Sequence, residues 1–171
     1  MSGQGFLARL TVGAGTMRRL FNLWPPFRGM GIRVRELDPD FRHATVELRM
    51  RLLNRNYVGT HFGGSLFAMT DPFWMILTMK ALGRDYIVWD QAGSIEFLKP
   101  GRGTVRADFA LDEAVLEDIR THTIGGAKHL RWFETDVVDA DGEVVARVRK
   151  QIYVRRKRDR APAAVAAQEG G

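Results

Sequence analysis

The segment from Gly63 to Leu82 is apolar on nearly every side of a helical wheel, with Leu66, Phe67, Met69, Phe73, Trp74, Ile76, Leu77, Met79 and Leu82 leaving no polar face. A helix of this kind has to be enclosed by the rest of the chain. Gly83 follows it, and a glycine tolerates the left-handed geometry that ends many helices. One residue breaks the run: Pro72 would remove a hydrogen bond and clash with the preceding turn of a continuous helix. Asp71 before it is a favoured N-cap type, so the helix is expected to break at Asp71 and restart.

Strands are the expected enclosure. Ala44, Val46, Leu48, Met50 and Leu52 alternate with His43, Thr45, Glu47, Arg49 and Arg51, the period-two signature of a half-buried strand. The same period recurs in Met30, Ile32 and Val34, in Val105, Ala107, Phe109 and Leu111, and in Val144, Ala146, Val148, Ile152 and Val154. Turn residues at Lys99-Pro100-Gly101-Arg102-Gly103 and Asp139-Ala140-Asp141-Gly142 separate strand-like runs and suggest antiparallel pairing. A shorter helix is read at Asp112 to Thr121, with Asp112 as its cap. The order is helix, two strands, buried helix, long strand, strand, short helix, two strands. This gives an α+β architecture, an antiparallel sheet of about six strands wrapped around a long central helix.

The 171 residues, 45% hydrophobic, suffice for one domain with a sizeable core. Three parts are expected: a helical extension over 1–29, the domain over 30–155, and a basic, disordered tail over 156–171. The extension pairs Leu7, Leu10, Met17, Leu20, Phe21 and Trp24 on an amphipathic helix that Pro25-Pro26 should stop. Arg9, Arg18 and Arg19 interrupt it, so it is read as docked on the domain, not as a signal peptide, a membrane span or a membrane-surface anchor. The absence of cysteine excludes disulfides, thiolate metal sites and a cysteine nucleophile, and cytoplasm is the default compartment. Much of the net charge of +6 comes from Arg147, Arg149, Lys150, Arg155, Arg156, Lys157, Arg158 and Arg160. Without an aromatic ladder or helix-turn-helix pattern beside it, this cluster argues against nucleic acid as a partner. His43, His122 and His129 lack metal-type spacing, and no metal is expected.

Chemistry is concentrated in Asn56 to Asp71, NYVGTHFGGSLFAMTD. The pair Gly63-Gly64 precedes the buried helix, whose first N–H groups could receive an oxyanion at Gly64 and Ser65. Asp71 is an acid within an apolar run, read with equal weight as helix cap and as catalytic carboxylate. His61 is a second-rank candidate for proton transfer or substrate contact. Asn56, Gly59, Gly63, Gly64 and Asp71 fall at the spacings of a block motif: Asn, two residues, Gly, two residues, His-Gly-Gly, six residues, then an acid on the central helix.

In this motif and in its element order the chain resembles the hotdog-fold thioesterase superfamily, particularly its phenylacetyl-CoA (PaaI-like) branch. SIEFLKPGRGTVRA, Ser94 to Ala107, is similar to the family's long strand, turn and returning strand. The chain departs from the family at Phe62, which stands where the family has histidine, and at Pro72 after the acid. The resemblance implies hydrolysis of an acyl-CoA or related thioester. Asp71 would be general base or nucleophile, the Gly64 and Ser65 amides the oxyanion donors, and Asn56 would orient water or substrate. Gly63, His61, Phe67, Phe73 and Trp74 are candidates for substrate contacts. Coenzyme A would enter as part of the substrate, with no other cofactor. A homo-oligomer is implied, a dimer or a dimer of dimers, with the site between subunits. The competing reading is a non-catalytic acyl-CoA or lipid-binding hotdog protein.

Overall fold

The computed structural model describes residues 12–157. Helix α1 spans Ala14–Leu23 and α2 spans Pro25–Met30. Strands β1 (Ile32–Leu37) and β2 (His43–Arg49) follow, then the central helical segment as α3 (Gly63–Ala68) and α4 (Phe73–Leu82). The long strand β3 (Tyr86–Phe97), β4 (Thr104–Ala110), helix α5 (Glu113–His122), β5 (Lys128–Val138) and β6 (Val144–Arg156) complete the chain. The strands form one antiparallel sheet in the order β1-β2-β4-β5-β6-β3.

Alternation explains the inner face. Val34, Val46, Leu48, Val105, Ala107, Phe109, Val137, Val148, Ile152 and Val154 are all buried, and they meet Leu66, Met69, Phe73, Trp74 and Leu77 of the central segment. Aromatic rings seal the contact: Phe73 lies 5.0 Å from Phe109, and Trp74 stacks on Phe133 at 4.5 Å. Helices α1 and α2 join the same core, since Phe27 is buried and Phe21 lies 5.8 Å from Phe73. No helix among the described residues is long and apolar enough to cross a membrane.

Two local expectations are corrected. The alternation in the second strand does not run to Leu52; β2 ends at Arg49, because the Met50 amide donates to Gly103 O and the Arg51 amide to Asn54 Oδ1 at 2.6 Å, turning the chain into a single 3-10 turn over Leu52–Asn54. Pro25-Pro26 end α1 as expected, and they also begin α2, where a proline in the first turn sacrifices no hydrogen bond. Leu7 and Leu10 lie outside the described residues, as do Arg158 to Gly171. The turn at 99–103 does not close a hairpin: β3 pairs with β6 at one edge, while β4 pairs with β2 and β5 across the sheet, so the segment is a crossover. At the other signal, Asp139 Oδ1 accepts from the Asp141 and Glu143 amides and closes the β5–β6 hairpin. Part of the basic cluster is also neutralised within the fold, where Arg147 pairs with Asp136 at 2.7 Å.

Asn54 is the tie that sequence reading missed. Its buried Nδ2 donates to Met30 O and Arg49 O, both at 2.7 Å, joining α2 to the end of β2. Asn54→Ala leaves these carbonyls and the Arg51 amide without their partner, and is expected to cost about 2–4 kcal/mol. A urea denaturation midpoint close to wild type would contradict this.

Candidate active site

The loop before the central segment is built on Asn56. Its Nδ2 donates to Thr60 Oγ1 at 2.8 Å and to His61 O at 3.2 Å, while Oδ1 accepts from the Val58 and Thr60 amides. Both donors and both lone pairs of this amide are therefore engaged. Asn56 holds the loop and has no hydrogen bond left over to orient water. His61 is buried, and its Nε2 donates to Gly103 O at 3.0 Å while its own amide donates to Gly101 O. Burial pulls the His61 pKa below its ordinary value, so the ring stays neutral and ties the loop to the 99–103 crossover. Its Nδ1 is buried without a partner among the described residues.

At the start of α3 the two expected oxyanion donors differ. The Ser65 amide already donates to Phe62 O at 2.9 Å, whereas the Gly64 amide has no acceptor among the described residues. A Cβ at Gly64 would stand 2.4 Å from the Phe62 ring, and one at Gly63 would stand 2.8 Å from the Phe97 ring. Phe62 and Phe97 are both exposed, so the glycine start carries an apolar, solvent-facing aromatic cover.

Asp71 occupies the break between α3 and α4. The break falls where Pro72 requires it, but the cap role is corrected: the N-cap is Pro72, and α4 has no side-chain capping hydrogen bond. The Asp71 carboxylate instead accepts from Lys150 Nζ, 2.7 Å from Oδ1. The burial of the pair is unequal, with 59% of the Asp71 side chain exposed and 5% of Lys150. Asp90 Oδ1 stands 3.5 Å from the same ammonium, close enough to feel its charge but without a hydrogen bond of its own. Burial pushes the Asp90 carboxyl up to about 6, with Lys150 opposing that shift and Asp71 adding to it. The Lys150 ammonium also lies 5.4 Å from the Phe67 ring centre, and Gly93 leaves room for the lysine stem between strands.

Phe73 and Trp74 do not reach this cluster. Phe73 is enclosed by Phe21, Phe27 and Phe109, and Trp74 Nε1 donates to Thr135 Oγ1 at 2.7 Å within the core. Both are corrected from pocket wall to core, because the apolar face of α4 that carries them packs on the sheet. A separate cleft of about 340 Å³ is lined by Asn22, Arg28, Arg33, Arg49 and Arg51 and shares no residue with the Asp71 cluster.

A family model described as a domain of unknown function, DUF4442, matches residues 13–154. The chain belongs to the DUF4442 family. No curated protein matches it in sequence. Among solved structures, a Pseudomonas aeruginosa protein described as a probable thioesterase is similar with a TM-score of 0.74 at 20% identity, over 83% of this chain and 95% of that one. A Haemophilus influenzae thioesterase is similar at TM-score 0.63 and 13% identity, covering 86% and 94% of the two chains. The Escherichia coli PaaI protein of the phenylacetic acid degradation operon is similar at TM-score 0.55 and 16% identity, covering 81% and 90%. This DUF4442 chain therefore has the hotdog fold.

Within this DUF4442 chain, Lys150 and Asp90 are the site residues that sequence reading missed. The signal was present for Lys150, which falls between Val148 and Ile152 on the inward positions of β6 and is buried there, not displayed in a basic surface cluster. Asp90 gave less warning, because a bulge between Asp90 and Ala92 shifts the register of β3.

The raised Asp90 pKa carries a stability consequence. Its folded state holds the proton more tightly than the unfolded chain, so the contribution is complete below about pH 4 and is lost as pH rises through about 6. Asp90→Asn should remove that dependence, and wild type should lose about 1–3 kcal/mol relative to the variant between pH 4 and pH 7.5. Parallel urea titrations of the two proteins at several pH values measure this, and parallel curves would refute it.

Proposed function

We propose that the protein hydrolyses an acyl-CoA or related thioester to free acid and thiol, with Asp71 as the carboxylate that drives the reaction. The observation carrying this reading is the placement of Asp71 at the break of the central helix. It is exposed to solvent, with one oxygen held by a buried ammonium and the other without a protein partner among the described residues. Relatives of the same fold described as thioesterases support the reaction class.

In this mechanism Lys150 keeps Asp71 oriented at Oδ1, and Oδ2 takes a proton from water. The water oxygen attacks the thioester carbonyl, the C–S bond breaks, and the proton passes to the departing thiolate. Direct attack by Oδ2 would expel the thiolate and give an acyl-aspartyl anhydride that water then cleaves, and ¹⁸O found in Asp71 after a single turnover in ¹⁸O-water would identify this route, with water attacking the aspartyl carbonyl. The Gly64 N–H serves the developing oxyanion, in the apolar setting that Phe62 and Phe97 provide. Asn56 and His61 act by holding the loop and the helix start, and Phe67 lines the approach to Lys150.

Geometry supports a shared site. Gly64 and Asp71 are seven residues apart along a helical path, roughly 10 Å at 1.5 Å per residue, whereas an attacking water and an oxyanion donor sit on one carbonyl. Two copies, each lending one end of the segment, reconcile the two groups. The edge position of β3 and the half-covered residues Met75, Ile76 and Met79 of α4 support the same conclusion, since a free edge and an apolar helix side both call for a partner. Light scattering is expected to give a dimer or a tetramer, and a stable monomer at micromolar concentration would remove the shared site.

Asp71→Asn retains the shape of the side chain and its acceptor toward Lys150 but cannot take a proton. Thiol release across short, aromatic and long acyl-CoAs is expected to fall by about 100-fold or more, with folding and acyl-CoA binding retained. Turnover equal to wild type in the folded variant would eliminate Asp71 as catalyst. A wild type that binds acyl-CoA yet releases no thiol from any of them would establish the binding-protein reading instead.

A further inference from the structure

Asp118 and His122 lie one turn apart on α5, so both side chains emerge on the same face of its C-terminal end. The first residues of β5 bring a second imidazole to them. His122 Nδ1 is 3.1 Å from Asp118 Oδ1, His129 Nε2 is 3.6 Å from Asp118 Oδ2, and the two imidazole rings stack at 4.9 Å. One ligand atom from each of the three residues lies within 4.8 Å of the others.

We propose that Asp118, His122 and His129 form a binding site for a divalent transition cation of the zinc type. Two imidazoles and one carboxylate suit such an ion, which accepts nitrogen and oxygen donors and completes its shell with water. The independent pointer is His129 Nε2, which is buried and has no hydrogen-bond partner among the described residues. A buried ring nitrogen left empty is costly, and a metal ion would satisfy it.

The surroundings are arranged as a second shell. Arg131 follows His129 by two residues on the same face of β5, and its Nη1 donates to Asp118 Oδ2 at 2.6 Å. That bond fixes the carboxylate through Oδ2 and leaves Oδ1 facing His122 Nδ1, where an ion would replace the direct 3.1 Å contact between them. His122 is 56% exposed, which gives the ion an entry path and room for water. Its Nδ1 also lies 2.8 Å from the Asp118 carbonyl oxygen, to which it donates when protonated, so binding at Nδ1 exchanges that proton for the metal. The positive charge of Arg131 beside the site weakens binding. No residue invoked for thioester hydrolysis belongs to this cluster, so the site stands apart from that reading.

The test uses the tag-free full chain, titrated with Co²⁺ followed by visible absorbance and with Zn²⁺ in competition with a chromogenic chelator. One ion per chain is expected, with the Co²⁺ spectrum displaced by Zn²⁺. His122→Ala and His129→Gln should each weaken binding at least about tenfold. His122 is exposed, so its variant retains the fold and decides the question even if His129→Gln proves unstable. Lack of uptake by wild type at millimolar free metal would overturn the proposal, as would wild-type affinity in His122→Ala, which would place the ion elsewhere.

Discussion

Everything in this molecule is organised around enclosing a helix that has no polar side. The sheet supplies one wall, and Phe73, Trp74 and Leu77 of α4 are buried against it. Such contact is worth about 1.5–3 kcal/mol for each large apolar side chain fully removed from water, which gives the segment its fixed position. The opposite side of α4 is only half covered in a single chain. That half-covered side carries Met75, Ile76 and Met79, the part of the helix that the sheet does not reach.

The site arises where that enclosure is interrupted. Pro72 forces the segment to part, and the parting brings a carboxylate out of an apolar run to the surface. Lys150 reaches the same place from the inner face of the sheet. A buried ammonium is costly alone, and two carboxylates share the task of compensating it. Asp90 is the more buried of the two, while Asp71 keeps solvent access on one side. This division leaves one acid enclosed beside the ammonium and the other facing solvent.

The fold was largely legible because period-two alternation and an all-apolar helical run admit few arrangements. What could not be read was pairing between distant strands: the glycine-rich segment 99–103 has the composition of a hairpin turn yet serves as a crossover, since loop chemistry does not reveal which neighbour a strand finds. For the candidate site, Asp71 and the glycine pair stand out by local context, whereas the hydrogen bonds of Asn56 go to its own loop and that of the His61 ring to Gly103 O, partners that no spacing reveals. Lys150 was hidden by its neighbours, a single inward lysine among outward arginines. Phe73 and Trp74 were ambiguous for the opposite reason, since an apolar side chain suits a core and a pocket equally well.

Gly93 gives this arrangement a memory. A Cβ there would stand 3.0 Å from Lys150 Cδ and 3.0 Å from Phe67 Cζ, so the lysine stem occupies space that any other residue would claim. The two positions share one space. A side chain acquired at 93 would make the lysine stem and the Phe67 ring each give by a few tenths of an ångström, and would disturb the anchor of Asp71. The pair should therefore drift together, and glycine at 93 beside lysine at 150 becomes a signature by which chains sharing this ion cluster can be told from those that share only the fold.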